Sequence, residues 1–242
     1  MTSLDYRLDR HVAVITFANP PVNGLSHALR SGIVDALARA QADESVRGIV
    51  LTGAGGLFSG GADIREFGTP ASTADPTLRV LIERVERSTK PVVAAITGTC
   101  LGGGLELAMA AHYRIAGADA RLGLPEVKLG LLPGAGGTQR LPRLIGVERA
   151  IAMITGGEPV PARGLASTRL LDRVVEGDPV AAAVQLASTA EPPFPRARDL
   201  RFDEPRLVEL CEEARATLKS QRPVLPAPLR AVDASLRHHR MR

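Results

Sequence analysis

The sequence predicts an α/β fold, and three observations carry that expectation. Short apolar runs alternate with amphipathic helical stretches through the first half of the chain. Glycine-rich loops follow several of those runs, and from residue 125 to 190 the pattern turns helical. The 242 residues are enough for one substantial core with room for an appendage.

Taken in order, "HVAVITFA" at 11 to 18 alternates as a half-buried strand does, and the turn-rich "NPPVNG" ends it. Ser26 then caps a helix running to about Ala42, with Leu29, Ile33, Leu37 and Ala40 along one apolar face. "VRGIVLTG" is a second strand, followed by the loop "GAGGLFSGGAD". A helix-like stretch near 76 to 88 precedes the buried strand "PVVAAITG", and a helix from about Gly103 to Ala111 follows it. Short strand signals come next at "YRIA" and "ARLGL". The stretches "PEVKLGL", "GTQRLPRLIG", "VERAIAMITGG", "PARGLASTRLL" and "PVAAAVQLASTA" read as helical. The Pro- and charge-rich segment 191–205 reads as a linker, with helices predicted at "PRLVELCEEARATLK" and "LRAVDASLRHH" on either side of "RPVLPAP". The expected division is a catalytic core over 1–190 and a linker with C-terminal helices over 191–242.

Composition narrows the function. Hydrophobic residues at 45% and charged residues at 23% exclude a disordered or fibrous chain. Aromatics are only 3%, and the net charge of +4 comes from scattered residues without a basic stripe, so nucleic acid is not the expected partner. Two cysteines, Cys100 and Cys211, are too few for a disulfide framework or a zinc site. No run reaches the roughly 18 apolar residues of a membrane span, and the N-terminus lacks a signal-peptide core. A reducing cytoplasm is the expected compartment. His11, His27, His112, His238 and His239 show no metal-ligand spacing.

The stretch "GTCLGGGLELA" at 98 to 108 invites a phosphate reading, which fails on spacing. No glycine-rich loop ends in the Gly-Lys-Ser/Thr of a phosphate cradle. A dinucleotide fingerprint would need glycine at 107 or 139, where Leu107 and Gln139 stand. Another use remains: glycines opening a helix after a buried strand leave unpaired N–H groups that a ligand oxygen can reach, with a second donor supplied by "FSGGAD". Tight helix packing is the alternative. Glu106 and Glu126 each sit among apolar neighbours near a helix start, where a functional carboxyl and a solvated dipole-facing one are both open readings.

Taken together, "LFSGGADIREF", "KPVVAAITGTCLGGGLELAMAAHYRIA" and "GLPEVKLGLLPGAGGTQRLPRLIG" closely resemble the enoyl-CoA hydratase/isomerase, or crotonase, family. The match runs from about residue 10 to 175, with three separated motifs in the right order. It looks most like the N-terminal hydratase part of multifunctional fatty-acid oxidation enzymes. The resemblance implies a crotonase-like spiral of repeated β-β-α units with a helical C-terminal segment, assembled as a trimer or hexamer. It implies hydration of 2-enoyl-CoA, with isomerisation of 3-enoyl-CoA as a further activity and a dehydrogenase as a partner. No metal or separate cofactor is implied, since coenzyme A belongs to the substrate.

Residue by residue, the resemblance places the oxyanion-hole donors on the N–H groups of Ala62 and Gly103 and the paired catalytic acids on Glu106 and Glu126. The CoA moiety is expected across "GADIREF", with Gly60, Ala62, Asp63, Ile64 and Arg65 on that side and Gly102 opposite. Arg65 is expected either at the nucleotide phosphates or in solvent. Leu25, Phe58 and Ile64 are expected along the acyl and pantetheine path or in the core, and Pro133, Gly134 and Gly137 at the turn that shapes the acyl pocket. Ser59 lacks the His/Asp pair of a nucleophile, and Cys100 reads as a small buried residue. One departure is Arg169, where a left-handed glycine cap is usual. A non-catalytic assembly subunit and a one-acid isomerase are the rival readings. The chain ends at Arg242, where multifunctional relatives continue, so a standalone enzyme, a truncation and a fragment all stay open, as does acyl chain length.

Overall fold

The computed structural model describes residues 2–201, 204–220 and 225–237. The chain opens with a hairpin of β1 (Ser3–Asp9) and β2 (Val12–Ala18), then α1 (His27–Ala42) and β3 (Gly48–Gly53). Next come α2 (Leu78–Glu86), β4 (Val92–Ile96), β5 (Thr99–Leu101), α3 (Gly103–Ala110), β6 (Tyr113–Gly117) and β7 (Arg121–Gly123). Then α4 (Gly137–Ile145), α5 (Val147–Gly156), β8 (Val160–Pro161), β9 (Arg173–Val175) and α6 (Val180–Thr189) precede the C-terminal α7 (Leu207–Ser220) and α8 (Pro226–Arg237).

The larger sheet runs β1-β2-β3-β4-β6-β9, parallel except for the β1–β2 pair, and the smaller runs β5-β7-β8. A strand of the large sheet is followed by one of the small sheet and then by a helix, as in β4-β5-α3. Isolated bridges Leu25↔Ala62 and Ser59↔Cys100 repeat that step in the preceding turns, before α1 and α2. This is the spiral of β-β-α units that the resemblance implies.

The strands read as almost continuous apolar runs because both faces of the sheet are covered. Ala13, Ile15, Phe17, Ile49, Leu51, Ala94 and Ile96 enter the main core. Val12, Val14, Val50, Val93 and Ala95 meet Ala183, Val184 and Ala187 of α6 on the other face. Farther along, α7 and α8 fold back on α5 around Val147, Ile151, Leu207, Cys211, Val232 and Leu236.

Two helical readings need correction, and two further features were not legible in the sequence. The hairpin strand β1 escapes a sequence reading because its two-residue turn is Arg10-His11, both at positive φ, without the usual glycine or asparagine. "PEVKLGL" holds only a 3₁₀ turn, Glu126–Leu129, which left-handed Gly130 ends. "PARGLASTRLL" is likewise a 3₁₀ turn, Ala162–Leu165, followed by irregular chain. Arg169 is not among the residues at positive φ; its N–H donates to the Leu144 carbonyl at 3.0 Å, so the turn is built without a glycine.

The packing that positions α3 is tight. A Cβ on Gly104 would stand 2.7 Å from both the Ser59 Cβ and its carbonyl oxygen. Gly104→Ala is therefore expected to cost about 1–3 kcal/mol in urea unfolding, and an unchanged midpoint would show that the α3 contact with residue 59 is loose.

Candidate active site

The site forms where three glycine-rich turns converge. β4 and β5 deliver the chain to Gly102, whose φ of 52° turns it into α3 and whose N–H donates to the Gly123 carbonyl at 2.9 Å. Gly103, the first residue of α3, has no acceptor one turn back for its N–H. Beside it, Gly61 at φ 109° swings the neighbouring loop so that the Ala62 amide nitrogen lies 3.3 Å from where a Gly103 Cβ would stand. Among the described residues neither the Ala62 nor the Gly103 N–H donates to a protein acceptor. Two free donors from separate chain segments thus lie side by side, the arrangement that can hold an oxygen as negative charge develops on it.

These donors open into a cleft of about 400 Å³. Gly60, Gly61, Ala62, Gly102 and Gly103 line it, together with Glu106 and Glu126. Its rim is apolar: Ile64, Phe67, Leu129 and Leu131 are large hydrophobic residues left exposed there, Ile64 at 65% and Leu129 at 64%. Leu78 and Arg79 of α2, with Gly134 and Ala135, complete the walls.

The two carboxyls are held differently. Glu106 sits in the first turn of α3, only 2% exposed, and its Oε1 accepts from the Ala135 and Gly137 N–H groups, each at 2.8 Å. Gly137 has to be glycine there, since a Cβ would crowd that Oε1 at 3.0 Å and Pro133 at 2.9 Å. Burial raises the Glu106 pKa, while the two amides and the Arg140 and Arg79 cations oppose the rise. Glu126 lies at the start of its 3₁₀ turn with a buried Oε2 that accepts no hydrogen bond. Burial, and then the charge of Glu106, push its pKa up to about 7. Glu106 has two amide donors and the Glu126 Oε2 has none, so negative charge is better accommodated on Glu106 and a proton on Glu126.

The remaining expected residues divide. Gly60, Ala62, Ile64, Gly102 and Gly134 line the cleft. Leu25 and Phe58 do not: each is at most 1% exposed in the core, and Phe58 packs edge-on against Phe17 at 5.3 Å. Asp63 turns away to cap the 3₁₀ turn Ile64–Glu66 and is held down to about 2 by the Arg65 guanidinium, which it pairs with at 2.6 Å. Arg65 is therefore neutralised at the surface by its neighbour. Pro133 faces an adjoining cavity with Arg140, Arg143 and Arg198.

Ser59 is fully buried, its hydroxyl donating to the Asn23 carbonyl and accepting from Gly61. Burial pushes the Cys100 thiol up, away from the reactive thiolate. His112 is buried and held neutral, its pKa down to about 4, with Nδ1 accepting from the Val92 N–H. Among the described residues no cluster of His, Cys, Asp or Glu could hold a metal; His238 and His239 lie outside the described residues. The sequence reading did not single out Arg79, Leu129, Leu131 or the Ala135 amide, and it covered Gly61 and Phe67 only as part of "GADIREF". For the rim residues the alternating "KLGLL" was the available signal; for Ala135 none existed.

The Glu126 shift has a consequence for stability. The unfolded carboxyl ionises near 4.5 and the folded one near 7, so between those values the folded chain holds a proton the unfolded chain has lost. Stability is full below about pH 4.5 and declines as pH rises through about 7. Glu126→Gln removes that loss and is expected to exceed the parent by about 3 kcal/mol at pH 8 while matching it near pH 4.5, as read by urea denaturation. An equal difference at both pH values would show that burial of this charge is not what costs stability.

Comparison with known proteins agrees with this geometry. Residues 7–191 match the family model described as enoyl-CoA hydratase/isomerase. The peroxisomal bifunctional enzyme of Danio rerio is 51% identical over 181 residues, which are 75% of this chain and 25% of that one. The human peroxisomal bifunctional enzyme is 43% identical over 239 residues, 96% of this chain and 33% of that one. The chain thus spans a quarter to a third of the length of these relatives. Among solved structures, the enoyl-CoA hydratase of Bacillus anthracis superimposes with a TM-score of 0.67 at 34% identity, covering 97% of this chain and 88% of that one. With the spiral, the paired acids and the two free amides in place, the chain belongs to the enoyl-CoA hydratase/isomerase family.

Proposed function

We propose that the chain adds water across the double bond of 2-enoyl-CoA thioesters to give 3-hydroxyacyl-CoA, in fatty-acid β-oxidation. The observation that carries this is the unequal pair: two buried carboxyls in one cleft, one clamped by two amides, the other bare with its pKa pushed up to about 7. The thioester carbonyl accepts from the Ala62 and Gly103 N–H groups, which withdraw electron density from C3. Water attacks C3 while Glu106 takes its proton, and the Glu126 carboxyl gives its own proton to C2. Negative charge grows on the thioester oxygen during attack, where the two fixed donors stabilise it. Passing the proton from Glu106 back to Glu126 resets the pair.

A second activity is favoured by the same Glu126. A single carboxyl with a pKa near 7 exchanges a proton readily at neutral pH, which suits a shuttle from C2 to C4 of a 3-enoyl thioester. The proposal uses no metal and no cofactor beyond the coenzyme A of the substrate. It also keeps a homo-trimer or hexamer, a separate dehydrogenase that consumes the product, and the cytoplasm as compartment. Both cysteines are free and buried, which suits a reducing compartment. Sedimentation and cell fractionation test the assembly and the compartment.

Two outcomes check the chemistry. Glu106→Gln is expected to lose hydratase activity on 2-enoyl-CoA by at least about 100-fold while sparing isomerase activity on 3-enoyl-CoA, followed spectrophotometrically. Equal loss of both contradicts the division of labour, and a parent protein inactive on every chain length supports a non-catalytic subunit. Hydratase kcat/KM is also expected to fall as pH rises above about 7, where Glu126 gives up its proton. A flat profile to pH 9 would remove Glu126 as the acid.

A further inference from the structure

We infer that Arg79 and Arg140 are positioning residues that aim the general base: Arg79 fixes the peptide plane whose N–H holds Glu106, and Arg140 fixes the plane that joins it to the next donor, Gly137. This rests on the hydratase reading for its kinetic test and on geometry alone for its structural one.

A peptide group is planar, so whatever fixes its carbonyl also fixes the direction of its N–H. The Gly134 carbonyl and the Ala135 N–H belong to one such plane. Arg79 Nε donates to that carbonyl at 2.8 Å, and the N–H on the opposite side donates to Glu106 Oε1 at 2.8 Å. The next plane is held in the same way: Arg140 Nη1 donates to the Ala135 carbonyl at 2.9 Å. The plane after that carries the Gly137 N–H, the second donor to Glu106. Two consecutive carbonyls, of Gly134 and Ala135, are thus tied to guanidinium groups and two N–H groups, of Ala135 and Gly137, to the glutamate, while the Gly136 carbonyl accepts from the Gln139 and Arg140 N–H groups of α4. Gly136, at φ 107°, leaves open the space through which the Arg140 guanidinium curls back.

The clamp has a fixed anchor. Arg140 Nε pairs with Glu86 Oε1 at 2.8 Å, and Glu86 is 1% exposed at the end of α2. Arg79 stands in the first turn of the same helix. One rigid helix therefore holds both arginines against the turn, and the amides pass that position to the carboxylate. The groups facing Glu106 are Arg79 from α2, Arg140 from α4, Glu126 from its 3₁₀ turn, and the Ala135 and Gly137 amides. Both cations favour its charged form, so the clamp aims the base and opposes the rise that burial causes in its pKa.

Arg79 is exposed, so removing it leaves the core intact. Arg79→Ala is expected to lower kcat for 2-enoyl-CoA hydration about 10- to 100-fold with KM changed less than about twofold, as misplacing a base by a fraction of an ångström does. The acidic limb of kcat, set by Glu106, is expected to move to higher pH, because a cation that favours the carboxylate is gone. For Arg140, the paired variant Glu86→Gln/Arg140→Met leaves no buried charge unpaired and is expected to act in the same direction. Amide hydrogen exchange by NMR gives the readout independent of turnover: protection at Ala135 and Gly137 is expected to drop at least about tenfold in Arg79→Ala, with β3 and β4 unchanged.

A KM increase at constant kcat would make Arg79 a substrate contact and overturn the clamp. Unchanged kcat and unchanged protection in both variants would overturn it as well. If the parent turns over neither substrate, the hydratase reading fails, and the exchange measurement alone decides for or against the clamp.

Discussion

A carboxylate taken out of water has to be met by donors, and the rest of this molecule is arranged around that requirement at Glu106. Two backbone N–H groups meet it, from a turn that begins 29 residues further along the chain. That turn can approach only because Gly137 has no side chain, and α3 can place the carboxylate only because Gly104 lets it lie against Ser59. Glu126 then takes its character from what it lacks. Left without a donor beside a charged neighbour, it keeps its proton into the neutral range. The acid and the base are chemically the same group; the peptide planes around them make the difference.

The glycines divide by the same logic. Gly61 and Gly102 take φ values of 109° and 52°, which bring two unrelated amides to one point. Gly102 has a further reason, since a Cβ there would stand 3.3 Å from the Glu126 carboxyl oxygen. A phosphate loop surrounds its ligand with a run of consecutive amides, whereas here two amides from distant turns converge on a single position. That difference in geometry accounts for the failure of the nucleotide spacings in the sequence.

Local chemistry made much of this legible in the sequence. Ser26 announced α1 because its side chain accepts from the Leu29 N–H, and the apolar runs announced β2, β3 and β4. The spiral itself came from resemblance, since short-range patterning carries no record of which sheet a three-residue strand such as β5 joins. What stayed hidden was set by contacts across long stretches of chain. Nothing near Arg79 in sequence shows that its guanidinium meets a carbonyl 55 residues away, and nothing in α6 shows which face of the sheet it covers. Leu25 and Phe58, for which path and core were both open, fall in the core: Phe58 adjoins the active loop in sequence and Leu25 bridges to Ala62, yet both side chains are buried.

The apolar rim of the cleft has a thermodynamic consequence. Ile64, Phe67, Leu129 and Leu131 expose apolar surface at the mouth of the site. A thioester lying against them, as proposed, would bury that surface, so its association would carry a negative heat-capacity change. The driving force for capture then shifts with temperature, from entropy in the cold toward enthalpy in the heat. The two amide contacts to the proposed carbonyl bury little apolar surface and would add little to that change. Recognition of the tail and of the reacting centre are thereby separated into a part that depends on the state of the water and a part that does not.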